Sequence, residues 1–249
     1  MIRVDIYDVK MFACFFDVIS SVGDCDKDIL LNFKEEGLRV DILNRSHTQF
    51  FNALFDSAFF DEYSIPSPEE IVVDSYEFFN IIDSARKGES LAIEITDDTI
   101  KYLFGCWGGR VIETPLSSGD SAVAVPPSID YRNRVEFQLS DLKPVLTDLD
   151  KLVNSSECFL KIKDNDFFIT STGKSMMDYQ NRVQGANIEG DNCQSKYNVK
   201  FLLGLCKFKD VDNDITMKLG DDMPLSWAVN SPDNLVECKG LIAPLIGEE

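Results

Sequence analysis

The sequence is short of basic residues. It holds 24 Lys and Arg against 43 Asp and Glu, which sets the formal net charge at −19 at pH 7. Proteins that coat nucleic acid carry basic faces that displace counterions from phosphate, so this acidic balance argues against such a surface. The acidic total does not exclude a small basic zone that faces DNA, because the placement of charge matters more than the total.

The chain also lacks the motifs of common enzymes and metal proteins. No GxSxG, HExxH or GxGxxG occurs, and the seven Cys form neither a CxxC pair nor a zinc-finger spacing. The single histidine, His47, is weak support for acid–base chemistry. Asp210–Asp214 imitates the start of a calcium loop but is followed by Ile215 where that loop needs glycine. The sequence therefore predicts no catalytic residues, no metal and no cofactor.

Long apolar segments are missing as well. Met1–Val22 is apolar in part, but Asp5, Asp8 and Asp17 interrupt it, so we expect neither a signal peptide nor a membrane span. An odd number of cysteines without a disulfide framework favours a reducing compartment inside the cell, where buried thiols behave as small apolar side chains.

What the chain does have is an internal repeat. An alternating hairpin is followed by an apolar helical stretch and then a strand, and the same order of elements occurs twice at a nearly constant offset. The matching segments are Ile29–Val40 with Cys158–Ile169, Ser75–Ala85 with Tyr197–Phe208, and Leu91–Ile95 with Ile215–Leu219. Such self-similarity predicts two copies of one domain.

Each copy reads as an α+β domain, with antiparallel strands and two helices on one face. The predicted division is 1–115 for the first domain, 116–131 for a proline-containing connector and 132–249 for the second domain. The connector includes an unexplained apolar patch, Ala122–Val125. For the first helix of the second copy we predict caps at Ser140 and Asp141. Its predicted buried stripe consists of Leu142, Val145, Leu146, Leu149, Leu152 and Val153.

Four segments give the sequence a family resemblance. They are Leu43–His47, Ser195–Leu202, Asp222–Leu225 and Leu241–Glu249. In their order and spacing they resemble segments of the DNA sliding clamps of the proliferating cell nuclear antigen family, of archaeal, eukaryotic or viral type. With the repeat, the resemblance covers essentially the whole chain, and it implies that the two copies are clamp domains.

The resemblance implies a ring-shaped processivity factor that encircles duplex DNA without reading its sequence. Three subunits, as a homotrimer or a heterotrimer, would join head to tail through the edge strands Gly109–Leu116 and Met176–Val183. The implied partners are duplex DNA, a DNA polymerase, a clamp loader and other proteins with a peptide motif, and no membrane. The implied location is the cytoplasm of an archaeon, the nucleus of a eukaryote, or the host cell of a virus.

Two sets of site residues follow from the resemblance. The implied pocket for a partner peptide consists of Leu43, His47, Val123, Val125, Pro224, Leu241, Ala243 and Pro244, and the implied DNA-facing residues are Lys10, Arg86, Lys87, Lys151, Lys200 and Lys207. The chain has Asp17, Asn80, Asp83 and Thr147 where the family often has Lys or Arg. An alternative is therefore a clamp-fold scaffold or decoy, monomeric or dimeric, that binds partner peptides without encircling DNA.

Overall fold

The structure is a computed structural model, and it describes residues 1–7, 9–21, 28–86, 88–96, 98–105, 109–117, 128–172, 177–210 and 212–246. Side chains are described in these ranges except at 19–21, 209 and 210. The chain forms two compact units. The first consists of Met1–His47, Phe51–Val125 and Ser231–Cys238, and the second of Thr48–Phe50, Pro126–Asn230 and Lys239–Glu249. The predicted boundaries at 115 and 131 stay a prediction.

The first repeat contains nine strands and two helices. Its strands are β1 (Ile2–Ile6), β2 (Asp28–Lys34), β3 (Gly37–Leu43), β4 (Gln49–Asp56), β5 (Glu62–Ser64), β6 (Glu69–Asp74), β7 (Leu91–Ile95), β8 (Thr99–Phe104) and β9 (Arg110–Pro115). Its helices are α1 (Val9–Ser21) and α2 (Ser75–Asp83), and a 3-10 turn covers Ser57–Phe59.

The second repeat has the same order of elements. Its strands are β10 (Asn133–Gln138), β11 (Glu157–Lys163), β12 (Asp166–Thr172), β13 (Asp178–Arg182), β14 (Asn187–Glu189), β15 (Cys193–Asn198), β16 (Asp214–Leu219), β17 (Leu225–Asn230) and β18 (Val236–Ile242). The helices are α3 (Leu139–Asp148), continued by a π turn over Leu149–Val153, and α4 (Val199–Leu205), continued by a 3-10 turn over Cys206–Asp210.

The strand order confirms that the two repeats share one topology. In the first repeat the strands lie in the orders β5-β1-β7-β8-β9 and β4-β3-β2-β6. In the second repeat the orders are β14-β10-β16-β17-β18 and β13-β12-β11-β15, which is the same arrangement nine strands later. The pairs whose register is defined are antiparallel, for example β2 with β3 and β11 with β12. The predicted α+β class is therefore confirmed.

The helices of each repeat pack as a pair. In the first repeat, phenylalanine rings join α1 to α2 and both helices to strands. The centroids of Phe16 and Phe78 lie 5.1 Å apart, Phe12 lies 5.0 Å from Phe55 of β4, and Phe78 lies 6.2 Å from Tyr102 of β8. All five rings are buried. This aromatic core fixes the helix pair on its sheets, because aromatic side chains bury large apolar areas.

The start of α3 corrects one sequence prediction. The N-terminal amides of α3 are satisfied by Asn213, which lies far away in the sequence. Its backbone oxygen accepts from the N–H of Leu139 at 2.6 Å, and its Oδ1 accepts from the N–H of Ser140 at 2.8 Å. The prediction that Ser140 and Asp141 cap this helix is wrong, because the cap comes from the segment that precedes β16.

The end of α3 corrects another sequence prediction, the burial of Leu152. Leu152 is 68% exposed although its spacing predicts burial, while Leu149 and Val153 are buried as expected. The hydrogen bonds of a π turn span one residue more than those of an α-helix, so the turn rotates its side chains away from the α-helical stripe. Asn154 then ends the turn in the left-handed conformation, with φ at 50°. The change of helix type therefore turns Leu152 outward.

Candidate functional site

Strand β9 ends the five-stranded sheet of the first repeat, within the predicted edge segment 109–116. The N–H of Leu116 donates to the oxygen of Asp98 at 3.0 Å. Because backbone directions alternate along a strand, the amides of Ile112 and Thr114 also point toward β8, and Pro115 stands at an outward position. A proline there costs no internal ladder bond. Val111 on this edge is 53% exposed.

Strand β13 ends the four-stranded sheet of the second repeat, within the other predicted edge segment, 176–183. The N–H of Val183 donates to the oxygen of Phe167 at 2.9 Å, so the amide of Asn181 also points toward β12. The amide of Gln180 then points away from the sheet. Met177, just before β13, is 52% exposed. Neither β9 nor β13 has a second neighbour among the residues that the structure describes.

Two of the DNA-facing residues predicted in the first repeat are described. Lys10 on α1 is exposed, and so is Arg86 just after α2, whereas Lys87 lies outside the described residues. The backbone N–H of Arg86 donates to the Oε2 of Glu89 at 2.9 Å. This hydrogen bond, followed by the charge of Arg110, lowers the pKa of Glu89 below its ordinary value. The Glu89 carboxylate therefore lies beside the backbone of Arg86 at the end of α2.

In the second repeat the predicted basic residues Lys151, Lys200 and Lys207 are all exposed. Lys151 lies in the π turn after α3, Lys200 in the first turn of α4, and Lys207 in the 3-10 turn after α4. Asn198 caps α4, since its Oδ1 accepts from the N–H of Lys200 at 2.9 Å. Helices α3 and α4 contact each other, so these lysines belong to one helix pair.

Four predicted pocket residues lie in the second unit: Pro224, Leu241, Ala243 and Pro244. All four are half-buried, so their apolar atoms stay partly accessible. The C-terminal segment that contains Leu241, Ala243 and Pro244 is held by backbone hydrogen bonds. The N–H of Ala243 donates to the oxygen of Thr48 at 2.8 Å, and the N–H of Leu245 donates to the oxygen of Lys196 at 2.7 Å.

The remaining predicted pocket residues divide into two groups. Leu43 and His47 lie in the first unit, where Leu43 is half-buried and His47 is exposed. His47 has a positive φ of 55°, and its N–H donates to the oxygen of Asn44 at 2.9 Å. Its side chain thus projects from a tight turn. Val123 and Val125 lie outside the described residues. The pocket as a whole stays a prediction.

The structure adds residues around Pro224 that the sequence prediction missed. The hydroxyl of Tyr131 donates to the oxygen of Pro224, and that of Tyr197 donates to the oxygen of Met223, both at 2.8 Å. Burial raises the pKa of Tyr131 to about 12, so this donor keeps its proton at neutral pH. Met223 is 37% exposed. Met223 stands within one of the motifs that carried the resemblance, so the sequence did contain a signal for it.

Two buried cysteines of the second repeat have raised thiol pKa values. Burial raises the pKa of Cys158 to about 12, and burial followed by the charge of Asp221 raises that of Cys193 to about 11. These buried thiols stay protonated, whereas a nucleophilic cysteine needs a thiolate. No group of three or more His, Cys, Asp or Glu with metal-binding geometry occurs in the described part of the chain. No described helix is long and apolar enough to cross a membrane.

Comparison with known proteins gives concordant results for sequence and structure. The chain is 27% identical over 253 residues to the DNA polymerase sliding clamp of Methanothermobacter thermautotrophicus, covering 100% of both proteins. It superposes with a TM-score of 0.87 on A. fulgidus PCNA in a structure with the C-terminal region of FEN-1 bound, at 18% identity and 100% coverage of both chains. No protein-family model matches the sequence.

A second solved structure agrees with the first. The PCNA2–PCNA3 complex from Sulfolobus tokodaii superposes with a TM-score of 0.85 at 17% identity, covering 97% of this chain and 98% of the other. Identities this low establish the fold rather than the activity. The sequence match and the repeated topology extend over the same full length. The chain therefore has the fold of the proliferating cell nuclear antigen and resembles the DNA polymerase sliding clamps from end to end.

Proposed function

We propose that this protein is a DNA sliding clamp, a ring of three subunits that encircles duplex DNA and tethers a polymerase to it. The observation that carries the proposal is that β9 in the first repeat and β13 in the second each end a sheet, in a chain similar to sliding clamps over its whole length. Exposed edges invite pairing with another chain. Two different edges on one subunit form a head-to-tail contact, which closes into a ring when the rotation per subunit allows it.

The side chains at these edges support pairing. Val111 on β9 and Met177 beside β13 are each more than half exposed, and burying them in a contact is favourable at roughly 25 cal/mol per Å². Outward amides at Val111 and Gln180 are available as donors for a neighbouring strand. The proposed assembly would bury the exposed apolar side chains and give the outward backbone amides hydrogen-bond partners.

Partner binding is part of the same proposal. In the similar structure from A. fulgidus, PCNA carries the C-terminal region of FEN-1. By the family resemblance, the peptide-binding residues of this chain are Leu43, His47, Val123, Val125, Pro224, Leu241, Ala243 and Pro244. The peptide brings two aromatic anchors and a glutamine, and His47 and Ala243 form the polar end that receives the glutamine. The partly accessible apolar surface of Pro224, Leu241 and Pro244 supports this assignment. Polymerase, clamp loader and repair proteins are the expected partners.

The protein acts as a tether without chemistry of its own, in the compartment that holds the DNA. The raised thiol pKa values of Cys158 and Cys193 keep these two cysteines protonated at neutral pH, so they are core side chains rather than nucleophiles. A scaffold or decoy that never encircles DNA is not favoured, because the full-length relative is itself a DNA polymerase sliding clamp.

The decisive experiment combines mass and topology. Light scattering at micromolar concentration should give about 84 kDa, three times the 28.1 kDa of one chain. Protein that assembles from dilute subunits in the presence of nicked circular DNA should co-elute with that DNA and leave it after a restriction enzyme linearises the circle. A protein that elutes apart from the circle, or that stays on linear DNA equally well, would refute encirclement. A strict monomer at all concentrations would refute self-assembly into a ring.

A further inference from the structure

The two repeats share a topology but differ in the charge of their helix pairs. On α1 and α2 the exposed charged side chains are one lysine, Lys10, and three carboxylates, Asp17, Glu77 and Asp83. The described helix surface of the first repeat is therefore acidic. Arg86, just beyond α2, adds one positive charge, and the nearby Glu89 carboxylate is ion-paired with Arg110 at 3.0 Å.

The second repeat has the opposite balance. Among the side chains that the structure describes, four lysines are exposed on α3, α4 and the turns that continue them, against two exposed carboxylates, Asp141 and Asp150. The lysines are Lys143, Lys151, Lys200 and Lys207. Asp148 on α3 is half-buried, and its Oδ2 accepts from the hydroxyl of Tyr179 at 3.4 Å. That carboxylate keeps its negative charge, so the described charged side chains of this helix pair are four lysines and three carboxylates, which still leaves a positive balance.

Local charge decides how each helix pair interacts with a duplex. At physiological ionic strength exposed charges are screened beyond about 8 Å, so the net charge of the whole chain has little influence on a phosphate in contact with a helix. A lysine near a phosphate releases counterions and contributes affinity, whereas a carboxylate at the same place repels the phosphate. The two helix pairs must therefore interact differently with DNA.

We propose that the helix pair of the second repeat, α3 with α4, makes the phosphate contacts, and that the pair α1 with α2 faces the duplex without holding it. This inference rests on the proposed function, since it assigns the DNA contact within the encircling clamp. The ligand is the phosphate backbone of duplex DNA, recognised by charge and not by sequence. Half of the helix pairs in a ring then contribute attraction, which keeps the electrostatic contact weak while encirclement retains the DNA.

Two matched double variants test the assignment. Lys151→Gln with Lys200→Gln removes two positive charges from the second repeat, and Lys10→Gln with Arg86→Gln removes two from the first. All four side chains are exposed, so both variants should fold. Binding of a fluorescent duplex is measured by anisotropy at salt concentrations of about 50 to 200 mM, with protein concentrated enough for full assembly.

The expected results differ sharply. Loss of one phosphate contact lowers the slope of log affinity against log salt by about 0.9, equivalent to about 8-fold in affinity at 0.1 M salt. In a ring of three subunits the second-repeat variant lacks these two lysines in every subunit, so it should lose at least two such contacts, about 60-fold or more, while the first-repeat variant should stay within about 2-fold of the unmodified protein. Equal losses in the two variants, or no loss in the second-repeat variant, would overturn the inference.

Retention on circular DNA separates this inference from the proposed function. If the unmodified protein is retained on the circle and the two variants bind the short duplex alike, the clamp function stands and the one-sided contact is wrong. If the unmodified protein is not retained on the circle, encirclement fails and the assignment of its contacts fails with it.

Discussion

The edge of β13 allows a sharp test of ring assembly, because only its outward amides can serve a neighbouring subunit. Gln180 has its N–H pointing away from β12, so Gln180→Pro removes an outward donor and leaves the ladder between β12 and β13 intact. Proline is tolerated at such positions of edge strands. We expect this variant to keep its fold and to assemble more weakly.

The size of the effect follows from the hydrogen bond that is lost. One intermolecular backbone hydrogen bond contributes about 1 kcal/mol, which is about 5-fold in the association constant of one contact. A closed ring of three contacts loses this three times, or about 150-fold in total. Because trimer formation depends on the square of the monomer concentration, the midpoint of assembly should rise about 12-fold.

Sedimentation velocity over a range of protein concentrations measures this midpoint, and circular dichroism checks the fold. Gln180→Ala is the matched control, since it removes the same side chain but keeps the amide, and its midpoint should stay within about 2-fold of the unmodified protein. Asn181→Pro is the opposite control. Its amide faces β12, so it should destabilise the monomer itself. An unchanged midpoint in a folded Gln180→Pro protein, or an equal loss in Gln180→Ala, would refute backbone pairing at this edge.

Three further predictions concern the partner site, the core and pH. His47→Ala should weaken binding of a peptide with a glutamine and two aromatic anchors about 5-fold by calorimetry, since about one hydrogen bond is lost, and unchanged affinity would exclude His47 from the site. Phe55→Ala should lower the free energy of unfolding in urea by about 3–5 kcal/mol, because the ring is fully buried. Phe159→Ala is the control, since this ring is 38% exposed and its loss should lower the free energy of unfolding far less. Equal decreases in the two variants would contradict the described core. Burial raises the pKa of Cys158 from 9.0 to about 12, so the folded state keeps a proton that the unfolded state loses, and stability falls as pH rises above about 9. Between pH 8 and 10 this thiol should account for about 1.4 kcal/mol of lost stability. Cys158→Ala should therefore have a shallower alkaline decline than the unmodified protein, and an identical slope would contradict the assignment.

Several features were predictable because they depend on local patterns. The hairpins of both repeats alternate apolar and polar residues, which predicts strands with one buried face, and β2–β3 and β11–β12 have this form. The edge segments 109–116 and 176–183 came instead from the family resemblance, and β9 and β13 lie within them at the ends of their sheets. The exposed lysines Lys10, Lys151, Lys200 and Lys207 also lie on or just after helices, as expected.

Other features depended on distant residues or on helix type and were not predictable from local spacing. Leu152 fits an α-helical stripe, and only the π turn at the end of α3 turns it to solvent. Asn213 caps α3 from outside the segment, so no pattern around Ser140 could reveal it. The outward direction of the Gln180 amide follows from its register with β12, which the sequence of β13 alone does not specify.

The sequence by itself determined that this protein consists of two α+β repeats with an acidic overall charge and a resemblance to sliding clamps, because repetition, alternation and charge are properties of residue order. Only the tertiary structure decided which strand edges are open, which lysines share a helix pair with few exposed carboxylates, and which thiols are buried. Those properties arise when distant segments pack together, and they decide where a neighbouring subunit or a DNA phosphate can bind.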